Sequence, residues 1–539
     1  MKFSYPILLC ICLGLFLLHL NYLYVDIMEA RNFVTAREML NDGNWLMTTI
    51  NGEPRYQKPP LPTWLSAGMG AIFGTQNVWA LRFPAAVSTI VLIVGFYHFL
   101  RKETQNKKLA ALGGLILATS FLVLFEGKRA NWDTFTYSFA FLGVYFFWLT
   151  FKSQSKQLLH FTLAGIFMGC SILSKGPTGI YTVVAPFLLA YCFTYGLPKI
   201  KWAYWFWTAI LTLLIGFSWY AYLYIYDHDT LLSILEIESK ARTNRAVKPF
   251  TRYLSFPMQM GVWGVLAVFS LIIPWFKRQN DHTKTYRLLF WWVLICLVLL
   301  SLVPSKKERY LFPLMIPLAG TTAYYLYQLT QTTHWKRWEK NLVRLAFGIN
   351  ALAALSVPIL VFIVLKIPIG FYALSFSIAS FLIGIYLFFH LFKNLKINHL
   401  IGGSIFFIAS GMLLGVPVID QIFNNNPTQK PFVEYKENIQ QSGLKLYGFD
   451  AYIPEIWFKY GEVIPNLDFN LKNWESTEDE FLLLLNPDEF KEEKLAFLSA
   501  HKFQFNLLET FDDNEEKLGQ KNNSSRKIIL LYHVKKLIK

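Results

Sequence analysis

WALRFPAAVSTIVLIVGFYHFL, residues 79–100, is the stretch of sequence that decides the fold. Its only charged residue is Arg82, near the start. A helix needs about 20 mostly apolar residues to cross the roughly 30 Å hydrocarbon core of a bilayer. The stretch therefore predicts a membrane-spanning helix.

Further apolar runs of this length occur on both sides of residues 79–100. They bring the predicted spans to thirteen, at 5–24, 79–100, 109–125, 135–151, 158–173, 178–195, 202–226, 256–276, 288–303, 311–329, 345–365, 371–392 and 400–419. The 539 residues are 54% hydrophobic and 16% charged, with a mean hydropathy of +0.34. Since soluble domains carry about 25% charged residues, the sequence predicts an all-α polytopic membrane protein.

The first run, 5–24, resembles a signal peptide because Lys2 precedes it. It lacks a small-residue cleavage site before residues 21–24, so we interpret it as an uncleaved anchor. The five cysteines all lie within apolar runs, which disfavours disulfides and thiolate metal sites. They are Cys10, Cys12, Cys170, Cys192 and Cys296.

The net charge is +16, and the Lys and Arg residues lie mostly between the apolar runs. This placement favours anionic lipids or phosphates over nucleic acid, which needs a basic face on a soluble domain. The short basic connectors at 101–108, 199–201, 277–287, 336–344 and 393–396 share one side, which the positive-inside rule assigns to the cytoplasm. We therefore expect a cytoplasmic N-terminus and an extracytoplasmic C-terminal region.

The pattern changes after about residue 420. Strand-length apolar runs at 444–449, 481–485, 503–508 and 527–532 alternate with helix-like stretches at 432–441 and 488–500. This alternation predicts a transmembrane domain at 1–420 and a small extracytoplasmic α/β domain at 421–539. No internal repeat is evident, which disfavours a repeat-built transporter.

Two long external loops, 25–78 and 227–255, carry part of the chemistry-bearing residues. The first contains an amphipathic helix at 29–40, turns at 41–44 and 51–52, and the segment Arg55-Tyr56-Gln57-Lys58-Pro59-Pro60. Because the prolines stiffen the chain, we expect Lys58 to be held at a fixed place above the bilayer. The second loop carries a basic run that includes Arg242.

Several short motifs share their order and side with those of one enzyme family. They are Glu29-Ala30-Arg31, Ala36-Arg37-Glu38-Met39, Gly43-Asn44-Trp45, Arg55–Pro60, Ala80–Pro84, Lys128-Arg129 with Asp133, Ser174–Pro177 and Pro304–Pro313. On these motifs, residues 1–420 resemble the family 39-like glycosyltransferases of GT-C fold. That family includes the protein O-mannosyltransferases and the aminoarabinose lipid A transferase.

The resemblance implies transfer of a sugar, with inversion, from a polyprenyl-phosphate donor to a lipid A, protein or glycan acceptor. It also implies an acidic residue of the first external loop as base. Elementary chemistry agrees, since the acceptor hydroxyl needs a carboxylate and the departing phosphate needs cations. The candidate catalytic residues are Glu29, Asp26 and Asp133; the candidate donor phosphate ligands are Arg31, Tyr56, Lys58, Arg82, Arg129, Lys175, Arg242, Lys306, Arg309 and Tyr310.

The sequence departs from the family pattern at the position of the catalytic base. Counting back from Arg37, the usual Asp position falls on Met28. Either Glu29 takes the role or Asp26 reaches the site, and we prefer Glu29. Gln57 and Ser239 stand where some lipid A transferases carry metal-binding Glu and His, which argues against zinc. We expect no cofactor, and a divalent metal remains open.

Two alternatives to an enzyme remain, a transporter or flippase of lipid-linked intermediates and an assembly protein. A transporter needs ionisable residues at mid-membrane depth, whereas the motif charges here cluster at span ends. An assembly protein leaves the basic motifs unexplained. We expect a bacterial inner-membrane enzyme in contact with membrane lipids, whose sugar, acceptor and oligomeric state the sequence does not define.

Overall fold

The structure, a computed structural model, describes eleven stretches of the chain. They are residues 4–152, 155–198, 200–244, 247–276, 283–332, 335–393, 395–424, 426–475, 477–487, 491–515 and 527–537, with the side chains of 241–244 and 275–276 left out of the description.

The first half of the described chain is helical apart from one small hairpin. Its helices are α1 (Tyr5–Leu17), α2 (Ile27–Asn41), α3 (Leu61–Phe73), α4 (Val78–Thr104), α5 (Lys107–Ala118), α6 (Phe121–Glu126), α7 (Trp132–Lys152), α8 (Gln157–Lys175), α9 (Ala185–Tyr195) and α10 (Trp202–Tyr226). The hairpin pairs β1 (Thr49–Ile50) with β2 (Glu53–Pro54). Its turn residues Asn51 and Gly52 both have positive φ, as a type I′ hairpin turn requires.

The helical part continues to residue 423. Its remaining helices are α11 (His228–Asn244), α12 (Phe256–Gln259), α13 (Gly264–Phe276), α14 (Thr283–Leu302), α15 (Phe312–Gln331), α16 (Arg337–Pro358), α17 (Phe371–Phe392), α18 (Ile397–Ser410) and α19 (Val416–Phe423). Short π-helical stretches precede α9, extend α16 and join α18 to α19.

Each predicted span overlaps a helix and the all-α membrane fold is confirmed, but the helix of the first predicted span, 5–24, ends at Leu17. Within the described ranges, eight helices are long and apolar enough to cross a membrane: α4, α7, α8, α10, α14, extended α16, α17 and joined α18–α19. A ninth arises if Phe250–Gln259 and Gly261–Pro274, which meet at 99°, form one span. The run at 109–125 is instead broken between α5 and α6. The hydroxyls of Thr119 and Ser120 donate back to the carbonyls of Leu115 and Ile116 at the break.

The C-terminal part forms a five-stranded mixed sheet in the order β4-β3-β5-β7-β6. Its strands are β3 (Leu446–Phe449), β4 (Asn466–Leu467), β5 (Glu480–Leu485), β6 (Phe503–Asp512) and β7 (Ile528–Lys536), and its helices are α20 (Lys436–Ser442), α21 (Pro454–Tyr460) and α22 (Lys491–Ala500). β3 pairs parallel with β4 and β5, whereas β7 pairs antiparallel with β5 and β6. The predicted small α/β domain is thereby confirmed; β4 and α21 were not predicted.

The C-terminal domain docks on α2 and the hairpin through buried polar contacts. Arg37 donates to the carbonyl of Trp457 at 2.7 Å. Asn51 donates to the carbonyl of Ile464 at 2.6 Å and accepts the Ile464 amide at 2.8 Å. These four residues are called the interdomain clamp below. The clamp fixes α2 between the membrane helices and the sheet domain.

Candidate functional site

Asp26 caps the N-terminus of α2. Its carboxylate accepts the amides of Met28 and Glu29 at 2.8 and 3.0 Å and forms an ion pair with Arg129. Burial alone would raise the pKa of Asp26, but Arg129, the two amides and Arg309 outweigh it and leave that pKa below its usual value. The side chain remains 24% exposed. Asp26 is therefore an ionised carboxylate that a ligand can reach.

Glu29 lies one turn further along α2 and is fully buried. Arg82 binds it through two parallel hydrogen bonds, Nε to Oε1 and Nη2 to Oε2, both of 2.7 Å. The amide of Ala130 donates to Oε1 at 3.0 Å. Arg82 also donates to the carbonyl of Leu20 at 2.7 Å. This bidentate pair joins α2 to the start of α4 and engages both carboxylate oxygens of Glu29.

Asp133, the second residue of α7, is the centre of another ion cluster. Its carboxylate contacts the ammonium of Lys175, lies 3.1 Å from Nε of Arg309, and accepts the hydroxyl of Tyr137 at 3.0 Å. The ring of Tyr310 lies 4.6 Å from the Lys175 ammonium. Two candidate cations from separate motifs, Lys175 and Arg309, therefore meet at the Asp133 carboxylate, with Tyr310 beside Lys175.

The two clusters lie at the same end of the helical bundle. The cluster residues come from the starts of α2, α4 and α7, the end of α8 and the turn before α15. At the opposite end, Lys152 pairs with Glu103 at 3.0 Å and joins the last turns of α7 and α4. The charge of Arg309 acts on both Asp26 and Asp133. The sequence motifs thus converge on one region.

Glu126 is a buried acid in this region that the sequence analysis did not select. It accepts the Asn131 side chain at 3.0 Å. Burial raises the pKa of Glu126 to about 7, against the opposing charges of Arg129 and Arg309. Its position at the end of an apolar run, just before Gly127-Lys128-Arg129, is the sequence signal that could have found it.

A cavity of about 530 Å³ opens beside the Glu29–Arg82 pair. Its cationic lining residues are Arg82, Lys128 and Arg129, and no carboxylate lines it among the described residues. Most of the remaining wall is apolar. It comes from chain segments near residues 20, 125 and 410, and includes Leu20, Leu23, Leu124, Phe125, Phe407, Met412, Val416, Ile419 and Phe423. We call this space the donor cavity. Its volume lies within the range of about 300–1,000 Å³ that small-molecule sites occupy.

Lys128 belongs to one of the motifs but was not assigned a role from the sequence. Its ammonium donates to the carbonyl of Leu18 at 2.6 Å. Burial, together with Arg82, lowers the pKa of Lys128 to about 8. An ammonium has three donors, and this carbonyl takes one of them.

Two other predicted phosphate ligands are Lys306 and Lys58, and the structure places Lys306 against backbone carbonyls. Lys306 is 3% exposed and donates to the carbonyls of Val303 and Lys248 at 2.6 and 3.2 Å. Lys58 is half-buried, and the next residue, Pro59, accepts the indole of Trp132 at 3.3 Å. Lys58 thus lies one residue before the proline whose carbonyl binds Trp132, the chain neighbour of Asp133.

The remaining predicted ligands lie on the flank of the site. Tyr56 donates its hydroxyl to Asp227 at 2.7 Å and links the two external loops. The Arg31 guanidinium lies 5.0 Å from the ring centre of Tyr452 in the C-terminal domain. Arg242 belongs to α11, but its side chain lies outside the described residues. The roles assigned to all these residues remain predictions.

The described residues contain no group of three or more His, Cys, Asp or Glu side chains that could hold a metal ion. The divalent metal that the sequence analysis left open therefore has no candidate site of this kind within those ranges.

Comparison with known proteins finds glycosyltransferases, both in a family model and among individual relatives. The family model of dolichyl-phosphate-mannose-protein mannosyltransferases matches residues 9–232. An Aquifex aeolicus protein is 28% identical over 297 residues, 54% of this chain and 57% of its own. The undecaprenyl phosphate-alpha-4-amino-4-deoxy-L-arabinose arabinosyl transferase of Shewanella sediminis is 24% identical over 311 residues, 54% of each chain. The chain thus spans little more than half the length of these relatives.

A solved structure extends the likeness to the whole chain. ArnT from Cupriavidus metallidurans, crystallised with undecaprenyl phosphate, superposes with a TM-score of 0.69 at 16% identity, over 98% of this chain and 96% of that one. The resemblance indicated by the sequence is thereby confirmed: the chain has the GT-C fold and resembles the membrane glycosyltransferases of the ArnT and protein mannosyltransferase type.

Proposed function

We propose that the protein transfers a sugar, with inversion, from a polyprenyl phosphate to an acceptor at the extracytoplasmic face of the bacterial inner membrane. The observation that carries this proposal is the donor cavity, an apolar space with cations at one end and the Asp26–Arg129 pair beside them. The relatives and the bound lipid of the ArnT structure support a polyprenyl-phosphate donor.

The apolar wall of the donor cavity suits the polyprenyl chain. Lys128 and Arg129 suit its phosphate, because both line the cavity and Lys128 retains donors beyond its bond to Leu18. Arg82 adds positive charge, although its guanidinium is engaged by Glu29 and backbone carbonyls. The phosphate therefore binds at the end of the cavity nearest to Asp26.

Asp26 is the base in this proposal. Glu29 is fully buried with both carboxylate oxygens bound, whereas Asp26 is partly exposed. A phosphate that binds Arg129 competes with Asp26 for the guanidinium and raises the pKa of that carboxyl toward the value that a base needs. Glu29 then has the structural role of holding α2 against α4.

In the reaction, Asp26 accepts the proton of the acceptor hydroxyl. At the same time the oxygen of that hydroxyl forms a bond to the anomeric carbon of the donor sugar. The bond from that carbon to the phosphate oxygen breaks, and the lipid phosphate leaves with the electron pair. Lys128 and Arg129 stabilise the charge that develops on the leaving phosphate. Asp133 holds Lys175 and Arg309 on the other flank of the site.

A transporter or flippase of lipid-linked intermediates is the alternative. Such a protein needs ionisable groups along a path through the membrane. The ionisable residues that line the donor cavity are instead grouped at the bundle end that holds Asp26. This grouping favours chemistry at the membrane surface. The acceptor in this proposal is a hydroxyl of lipid A, a protein or a glycan.

The test is transfer of radiolabelled sugar by purified protein from a panel of undecaprenyl-phosphate sugars to an extract of bacterial envelopes. We expect transfer by the wild type and a loss of about 100-fold or more in Asp26→Asn, the scale of a general base. The control is Asp42→Asn, an exposed carboxylate at the other end of α2, which should transfer normally.

Normal transfer by Asp26→Asn would remove Asp26 as the base. Transfer from none of the donors by the wild type, or movement of intact donor across vesicles without transfer, would overturn the proposed function.

A further inference from the structure

Arg31 lies on a flank of α2 that faces away from the donor cavity. With 3.6 residues per turn it is about 200° around the helix from Glu29, which contacts Arg82. The described part of the chain offers its Nε, which is buried, no hydrogen-bond partner. Its Nη1 makes one weak contact, to the sulfur of Met28 at 3.9 Å. Arg31 is therefore a guanidinium with unused donors.

Arg55 lies beside Arg31. It donates to the Arg31 carbonyl at 3.2 Å and to the hydroxyl of Thr35 at 3.0 Å, and its guanidinium lies 4.7 Å from the ring centre of Trp132. Burial lowers the pKa of Arg55 to about 10, and the charge of Arg31 acts in the same direction. Within the ranges that the structure describes, neither arginine has a carboxylate within 4 Å. Neither of these two adjacent cations therefore has a direct ion-pair partner in the described ranges, although the charge of Glu38 acts on Arg55 from farther away.

The C-terminal domain adds an aromatic ring to these cations. Tyr452 precedes α21. Its ring centre lies 5.0 Å from the guanidinium of Arg31 and 5.3 Å from the ring centre of Trp457. Its side chain is 43% exposed. The interdomain clamp fixes Trp457 on α2 through Arg37, so Tyr452 is held in place while its ring remains open to a ligand.

We propose that Arg31, Arg55 and Tyr452 form an acceptor subsite that binds a sugar ring carrying a phosphate or carboxylate group. The two guanidiniums supply the charge that an anionic oxygen needs, with planar, directional donors. The exposed ring of Tyr452 supplies an apolar face against which the C–H face of a sugar can pack.

The location suits an acceptor rather than the donor. Arg31 is five residues beyond Asp26, about 7.5 Å along the helix axis, and the donor cavity lies on the other flank of α2. A ligand held at Arg31 can therefore present an oxygen to Asp26 from the side opposite the donor phosphate. This assignment rests on the proposed function and moves Arg31 from the donor ligands to the acceptor side.

The experiment measures binding, independently of transfer, by saturation-transfer NMR on the purified full-length protein. The probes are glucose 6-phosphate and methyl glucuronoside, compared with methyl glucoside and inorganic phosphate. We expect both acidic sugars to bind competitively with each other and more tightly than the neutral sugar or phosphate alone. Their affinity should fall about fivefold or more in Tyr452→Ala and Arg31→Gln, the scale of a desolvated cation–π contact or charged hydrogen bond.

Two further variants distinguish recognition from folding. Tyr452→Phe keeps the ring and should bind the acidic sugars normally. Phe469→Ala removes a ring of the C-terminal domain with similar exposure, 45%, away from Arg31, and should also bind normally. Undecaprenyl phosphate binding, measured on the same samples, should be unchanged in Tyr452→Ala.

Each contrary result has its own meaning. The proposed subsite would be overturned if the neutral sugar or phosphate alone bound as tightly as the acidic sugars, or if no probe bound. It would also be overturned if Tyr452→Ala and Arg31→Gln bound the acidic sugars with unchanged affinity. Failure of the wild type to bind undecaprenyl phosphate would instead count against the proposed function.

Discussion

Glu29 and Asp26 show how surroundings separate two acids three residues apart. Both could be selected from the sequence because they are the acids that precede Arg37 in the first external loop. Their roles could not be predicted from the sequence, because each depends on a distant partner. The partner of Glu29 is Arg82, 53 residues away, and the partner of Asp26 is Arg129, 103 residues away. A buried bidentate ion pair holds structure, whereas a partly exposed helix cap can exchange partners with a ligand.

Lys128 gives a prediction of pH dependence. Because the pKa of its ammonium is lowered to about 8, the charge is present below pH 8 and is lost as the pH rises through that value. We expect affinity for undecaprenyl phosphate to fall roughly tenfold between pH 7 and pH 9, the scale of one charged hydrogen bond. Equilibrium binding across this range measures it.

Lys128→Arg is the matched variant, because arginine keeps its charge throughout this range. Its binding profile should be flat up to pH 9. A flat profile in the wild type, or an equal fall in Lys128→Arg, would show that Lys128 does not bind the phosphate.

At the scale of elements, α2 joins the site to the C-terminal domain. The sequence predicted a helix at 29–40, close to the observed Ile27–Asn41, and a turn at 51–52 that forms the β1–β2 hairpin. The function of the Arg37-Glu38 pair could not be predicted. Glu38 accepts the amide of Asn51 at 2.6 Å and shapes the hairpin, while Arg37 reaches the C-terminal domain. Both contacts join α2 to residues outside the helix, and the helical periodicity of the sequence does not indicate those partners.

Removal of the clamp should uncouple α2 from the sheet domain. Arg37→Ala leaves the buried carbonyl of Trp457 without its donor, which costs about 1–3 kcal/mol. We expect a lower thermal midpoint and faster hydrogen exchange in residues 457–464. Arg101→Ala, an exposed arginine at the end of α4, is the control and should exchange as the wild type does. Unchanged exchange in Arg37→Ala would contradict the clamp.

At the scale of the whole molecule, the sequence predicted the class of fold and the end of the bundle that carries the charged motifs. It could not predict the donor cavity, because the wall combines residues near 20, 125 and 410 and no local pattern relates them. Nor could it predict the interdomain clamp, whose bonds join residues 420 and 413 positions apart. Long-range packing decides both features, and together they place α2 between a donor side and an acceptor side.

The most direct test of the account is equilibrium binding of undecaprenyl phosphate to a protein whose donor cavity has been filled. Gly411 lines the cavity, and a Cβ there would meet its nearest atom only at 4.0 Å, so Gly411→Leu can be accommodated while its side chain occupies the lipid space. Gly14→Leu makes the same change in α1, outside the cavity lining and with nothing within 4 Å of the added Cβ. We predict binding at least about tenfold weaker in Gly411→Leu, or 1.4 kcal/mol, and unchanged binding in Gly14→Leu. Wild-type affinity in Gly411→Leu would contradict the central claim that this cavity holds the donor lipid.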